Sequence, residues 1–137
     1  MPWTCPNCQR QFTHENQYHS CRKITVDSHF VNKSDHIRAI YDRLMQTVTT
    51  WKDVRIEAVK NAIMVKAGST FLAVKPKKQW LDVEFTAEED VYEFPVFKSQ
   101  KYSANKWALY VRLEDPNEVN DQLLQWIRDA YQISLNT

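Results

Sequence analysis

Apolar residues change their spacing twice along the chain, and the two changes divide it into a helix, a run of strands and a second helix. Ile37, Ile40, Tyr41, Leu44, Val48 and Trp51 recur at three- and four-residue steps, with Arg38, Asp42, Arg43 and Gln46 between them. That is the period of a helix burying one face, and Ser34 or Asp35 can cap it. After Trp51 the period falls to two. Residues 54–58 alternate, as do Ile63 with Val65, Leu72 with Val74, and Leu81, Val83 and Phe85, so each stretch predicts a strand. Gly68, between two of these, is expected at positive φ in a hairpin loop. Two further strands are expected over 91–98 and 106–113. Pro95 inside the first argues for a sheet edge, and the second aligns Trp107, Leu109, Val111 and Leu113 on one side.

The helical period then returns. Asp115 can cap, Pro116 suits a first helical position and Glu118 stands three residues past the cap. Val119, Leu123, Trp126, Ile127, Ala130 and Tyr131 supply a buried stripe. The element order α-β-β-β-β-(β)-β-α predicts an α+β fold, a two-layer sandwich with an antiparallel sheet and both helices on one face. The predicted organisation is a metal-binding knuckle over 1–23, a connector over 24–35 and the sandwich domain over 36–137.

The knuckle rests on the distribution of soft ligands. All three cysteines fall in the first twenty-one residues, as Cys5-Pro6-Asn7-Cys8 and His19-Ser20-Cys21. A two-residue gap lets a turn present two thiolates to one ion, and three thiolates with one imidazole close a tetrahedral Zn²⁺ shell with no open position. The predicted ligands of one structural zinc are Cys5, Cys8, His19 and Cys21, with His14 in reserve. A DNA-reading ββα finger needs about twelve residues between its ligand pairs, too many for the gap from Cys8 to His14. A disulfide framework fits an odd cysteine count poorly.

Composition narrows the rest. Hydrophobic residues make up 43% of the 137, enough for a packed core, and the net charge of +1 implies no bulk affinity for nucleic acid or membrane. No apolar run has the length of a membrane span and the start lacks the layout of an export signal, so a cytoplasmic protein with no membrane partner is expected. A single glycine excludes glycine-rich phosphate loops and with them a nucleotide cofactor. Hydrolase and metalloprotease signatures are missing from the sequence. His29 and His36 read as surface histidines, and Glu88, Glu89 and Asp90 as solvated acids.

If one sheet face meets the helices, alternation sends Met64, Lys66, Phe71, Lys75 and Trp80 to the other, with Tyr110 and Arg112 from the late strand. Lys60, Lys77 and Lys78 lie in the same basic stretch: residues 60–78 hold five lysines and no acid, whereas 82–93 hold six acids and no base. Cations interleaved with aromatics can stack bases and hold phosphates. The same residues also suit a solvated sheet face stabilised by cross-strand pairs. The expected function is a non-enzymatic, zinc-containing binding protein whose open sheet face contacts a partner, a protein or a nucleic acid. The alternatives are a small enzyme acting on a phosphorylated or nucleic-acid substrate and, only as a resemblance of element order to small iron-binding proteins implies, an iron-handling protein.

The series Trp3-x-Cys5-Pro6-x-Cys8, Phe12, Asn16-Gln17-x-His19-Ser20-Cys21, Lys60-x-x-Ile63-x-x-Lys66, Phe71, Pro76-Lys77-Lys78 and Trp126-Ile127-Arg128-x-Ala130-Tyr131 resembles an uncharacterised bacterial family, a domain of unknown function. Some of its members carry this zinc knuckle ahead of the domain. The resemblance implies Cys5, Cys8, His19 and Cys21 as ligands and implies no activity; relatives are hypothetical proteins, sometimes fused to nuclease-like or transport regions. Trp107 stands where the family often has a histidine at the start of the late strand. The element order is also similar to the frataxin-like sandwich, an analogy of fold that transfers no function.

Overall fold

The computed structural model describes residues 2–6, 11–16, 24–91 and 93–136. Two short strands, β1 (Trp3–Thr4) and β2 (Gln11–Phe12), pair antiparallel, with the Trp3 and Phe12 rings 6.0 Å apart. The remainder is an α+β sandwich. Helix α1 (Asp35–Val48) leads into β3 (Arg55–Val59), β4 (Ala62–Lys66), β5 (Thr70–Pro76), β6 (Leu81–Ala87), β7 (Val96–Ser103) and β8 (Lys106–Leu113), and α2 (Asp121–Leu135) closes the order. The strands form one antiparallel sheet ordered β3-β4-β5-β6-β8-β7. β7 therefore occupies an edge, as Pro95 suggests.

Alternation fixes which face is covered. Ile63, Val65, Leu72, Val74, Val83, Phe85, Leu109 and Val111 are buried with Ile37, Ile40, Leu44 and Val48 of α1 and Leu123, Ile127 and Ala130 of α2. Each such side chain larger than alanine contributes roughly 1.5–3 kcal/mol on leaving water, before entropy is charged against it. Trp51, Phe71 and Tyr131 extend this layer as a ring cluster, with centroids 5.2–6.3 Å apart.

Phe71 corrects the expected face assignment. Lys66 pairs with Thr70 and Val65 with Leu72, so β5 holds one extra residue there. This β-bulge turns Phe71 toward the helices, where it is 1% exposed. Gly68 is a second correction. Its φ is not positive; a Cβ at that position would lie 2.1 Å from the Ser134 carbonyl oxygen. The glycine is required because the β4–β5 turn abuts the end of α2. A left-handed residue does stand just ahead of β3, Asp53 at φ 64°, a residue type that tolerates that region.

Element bounds differ from expectation at three places. The stretch 24–35, expected to be an irregular connector, carries a 3-10 turn over Asp27–Phe30, and Val26 and Phe30 pack on the core. The strand expected over 91–98 begins at Val96, past Pro95, because proline cannot donate to a ladder. Asp115 does cap, accepting from Asn117 N–H, but it caps a 3-10 turn over Pro116–Glu118. α2 starts later, where Asn120 accepts from Leu123 N–H.

The two histidines expected on the surface act as staples. The His29 Nε2–H donates to the Val59 carbonyl at 2.7 Å, tying the 3-10 turn to the end of β3. His36, at the start of α1, hydrogen-bonds through Nε2 to the Glu114 carbonyl beyond β8.

Candidate functional site on the open sheet face

Both helices pack on one side of the sheet, and among the described residues no helix or strand is stacked on the other. A row of paired positions crosses it: Glu57, Met64, Ala73, Glu84, Tyr110 and Lys98, from β3 to β7. A second row holds Lys75, Asp82 and Arg112. Opposite charges on these rows pair across strands. Lys66 reaches Glu57, Lys75 Nζ lies 3.7 Å from Glu84, and Arg112 Nε donates to Asp82 at 3.2 Å. Exposed pairs of this kind each contribute about 0–1 kcal/mol. They set the field of the face more than its stability.

Bulges in β7 add aromatics. Between Val96 and Lys98, and again between Lys101 and Ser103, the register against β8 shifts, leaving Phe97 and Tyr102 as extra residues. Bulges re-aim side chains, and here they carry Phe97 to 6.3 Å from Tyr110 and Tyr102 to the wall of a groove. Phe97 and Tyr102 remain 52% and 54% exposed. The Arg112 guanidinium sits 4.2 Å from the Trp80 ring centroid and 4.9 Å from that of Phe97, and Lys98 Nζ lies 4.9 Å from that of Tyr110. Such contacts hold a cation over a ring face at roughly 0.5–1 kcal/mol each when exposed. The Trp80 Nε1–H is buried without an acceptor among the described residues.

The groove, about 330 Å³, opens over the small side chains of Ala73 and Ala108, and Met64, Gln100, Tyr102 and Tyr110 rise around them. Glu84 stands in it, level with Ala73 on one side and Tyr110 on the other. Burial first, and then the nearby Glu84 carboxylate, raise the pKa of both Tyr102 and Tyr110, and a hydrogen bond to Glu84 raises Tyr110 further. Both phenols are therefore neutral donors over the whole physiological range.

Of the residues expected at a binding face, the structure gathers Lys66, Lys75, Trp80, Tyr110 and Arg112 on the outer side. Lys60 and the Lys77–Lys78 pair are exposed in the β3–β4 and β5–β6 turns. Antiparallel order puts those two turns at one end of the sheet, the end that carries Trp80 and Arg112. Phe71 does not belong to the face. The alternation of Val83, Glu84 and Phe85 already pointed Glu84 outward, but its place beside Ala73 and Tyr110 required the register. Phe97 and Tyr102 had no comparable signal, since a bulge leaves no mark on spacing.

Of the expected zinc ligands, Cys5 directly follows β1 and is 2% exposed, and the reserve ligand His14 is exposed. Cys8, His19 and Cys21 lie outside the described residues. Among the described residues no group of three or more His, Cys, Asp or Glu is placed to hold a metal ion, and no helix is long and apolar enough to cross a membrane. Asp90 of the acidic run accepts from Ser99 Oγ at 2.6 Å.

Compared with known proteins, the chain matches a family described as "Domain of unknown function (DUF5655)" over residues 26–134. No curated protein and no solved structure matches it.

Proposed function

We propose, for a chain that belongs to the DUF5655 family, that it is a non-enzymatic binding module whose open sheet face engages single-stranded nucleic acid. One observation carries the reading: the aromatics Trp80, Phe97, Tyr102 and Tyr110 share the uncovered face with Lys75, Lys98 and Arg112. Flat rings offer stacking surfaces to any base, and cations along the same path neutralise phosphates. The lysines of the two turns extend that path beyond the sheet. Lys66, Lys75 and Arg112 contribute less than a count of charges suggests, because each already has a carboxylate partner.

Ahead of this face, Cys5, Cys8, His19 and Cys21 hold one structural Zn²⁺ in this reading. The donor set suits the ion, and the burial of Cys5 beside the paired β1 and β2 supports it. A cytoplasmic setting keeps such thiols reduced and available to metal. Elemental analysis of purified protein should find one zinc per chain, and its loss on Cys5→Ser checks the ligand; a metal-free native protein removes this part of the proposal.

The face itself is tested with a fluorescein-labelled single strand of roughly 12 nucleotides at low salt. Binding should weaken as salt rises, and Lys98→Glu and Arg112→Glu should each weaken it about tenfold, since each reverses a charge beside a ring. Failure to bind, or equal binding by both variants with their fold intact, overturns the reading.

A further inference from the structure

The groove behind Tyr102 and Tyr110 has a chemistry that stacking on a flat sheet does not need. A carboxylate stands in a cleft whose floor is two alanines and whose walls include two phenols. A general phosphate-tracking surface gains nothing from an acid at that point. Resting on the proposed function, we infer that this groove is a selective base pocket, and that Glu84 reads the edge of guanine.

The argument is one of donors and acceptors. An ionised carboxylate only accepts, its two oxygens lie side by side, and each has two lone pairs, so the Tyr110 hydroxyl that already donates to Glu84 leaves both oxygens able to accept. Guanine presents two neighbouring donors on its Watson–Crick edge, N1–H and the N2 amino group. Adenine and cytosine each place a ring-nitrogen acceptor beside their amino group, which a carboxylate repels, and uracil has one donor flanked by carbonyls. Reading of unstacked bases on this edge, between aromatic side chains, is the usual mode for single strands.

The surroundings fit. Lys75 Nζ is 3.7 Å from Glu84 Oε2, too far for a hydrogen bond but close enough to offset the carboxylate's charge toward an anionic strand. Tyr102, half exposed on its bulge, can close over a base. Ala73 and Ala108, level with Glu84 and Gln100 respectively, leave the depth for a ring. Arg112 and the turn lysines lie toward one end of the same face, in the direction a connected phosphate chain would run.

The test compares labelled oligouridylate strands carrying one central guanosine, one central adenosine or none. Wild-type protein should prefer the guanosine strand by about tenfold, the scale of a bidentate contact. Glu84→Gln should abolish that preference and move it toward adenosine, because a carboxamide offers one donor and one acceptor; each protein's binding to plain oligouridylate is the reference against which its preference is read. Ala73→Leu, which fills the groove, should erase the preference without reversing it. Thermal melts of both variants establish that they fold. Binding of all three strands without preference, or a guanosine preference that survives Glu84→Gln, overturns the pocket and leaves the sheet-face reading standing. If no strand binds, the sheet-face reading fails and the pocket fails with it.

Discussion

The same strands build two faces with opposite characters. Toward the helices, Val65, Leu72, Val83, Phe85 and Val111 are at most 2% exposed, and from β4 to β8 they pack as one apolar layer with the helices. One residue along each strand, the outer face carries Met64, Lys75, Glu84, Tyr110 and Arg112, whose side chains lean on one another and remain open to water. Dense packing makes the first face costly to change and chemically inert. The second is cheap to change and holds its charges and rings in one layer, so a binding role belongs there.

Substitutions on the two sides should separate sharply. Phe71→Ala, on the covered side, is expected to cost about 3–5 kcal/mol, whereas Phe97→Ala, the corresponding bulge residue on the outer side, should change stability by about 0.5 kcal/mol or less. Denaturant titration of both measures the contrast, and equal effects would place Phe71 outside the core. Gly68→Ala should cost about 1–3 kcal/mol, because its new methyl meets the Ser134 carbonyl; a neutral result would mean that α2 does not reach the β4–β5 turn. Asp82→Asn, which unpairs Arg112, should cost at most about 1 kcal/mol, an effect that shrinks further in high salt.

Titration offers the finest contrast. Burial raises the phenol of Tyr41 on the covered side, and burial with Glu84 raises Tyr102 and Tyr110 on the outer side. In each case the folded pKa lies above the unfolded one. The associated stability is thus complete below pH about 10 and is lost as pH rises through the folded values. Melting temperature should fall across that alkaline window, and Tyr41→Phe should make the fall shallower. Tyrosinate absorbance followed in parallel should show Glu84→Gln lowering the titration of Tyr110 while leaving that of Tyr41 in place.

The element types were largely legible in the sequence because period follows burial: five alternating stretches and two helical stripes correspond to β3, β4, β5, β6, β8 and the two helices, whereas the strand expected over 91–98 lies at Val96–Ser103. What spacing could not carry was the extra residue. Phe71, Phe97 and Tyr102 each sit where one strand gains a residue on its neighbour, and a reader counting in twos assigns Phe71 to the wrong face and cannot place the other two. The late helix was misjudged in its start because Asp115-Pro116-Asn117-Glu118 satisfies the rules for a first turn equally well in a 3-10 turn. Gly68 was recognisable as special, but its reason lies 66 residues away at Ser134. The acid–base contrast of 60–78 with 82–93 was visible too. The pairing of Lys75 with Glu84 and of Arg112 with Asp82 depends on strand register, which local patterns leave open.

The outer border of β7 has a bearing on how the molecule behaves in a crowd. Among the described residues no strand lies beyond it, so its backbone amides and carbonyls form a template on which another copy could grow an intermolecular sheet. Lys98 and Lys101 stand exposed along that border and the two bulges interrupt its regular spacing. Mutual repulsion and a broken ladder together oppose fibril growth, so the protein should tolerate high concentration for as long as those two ammonium groups keep their charge.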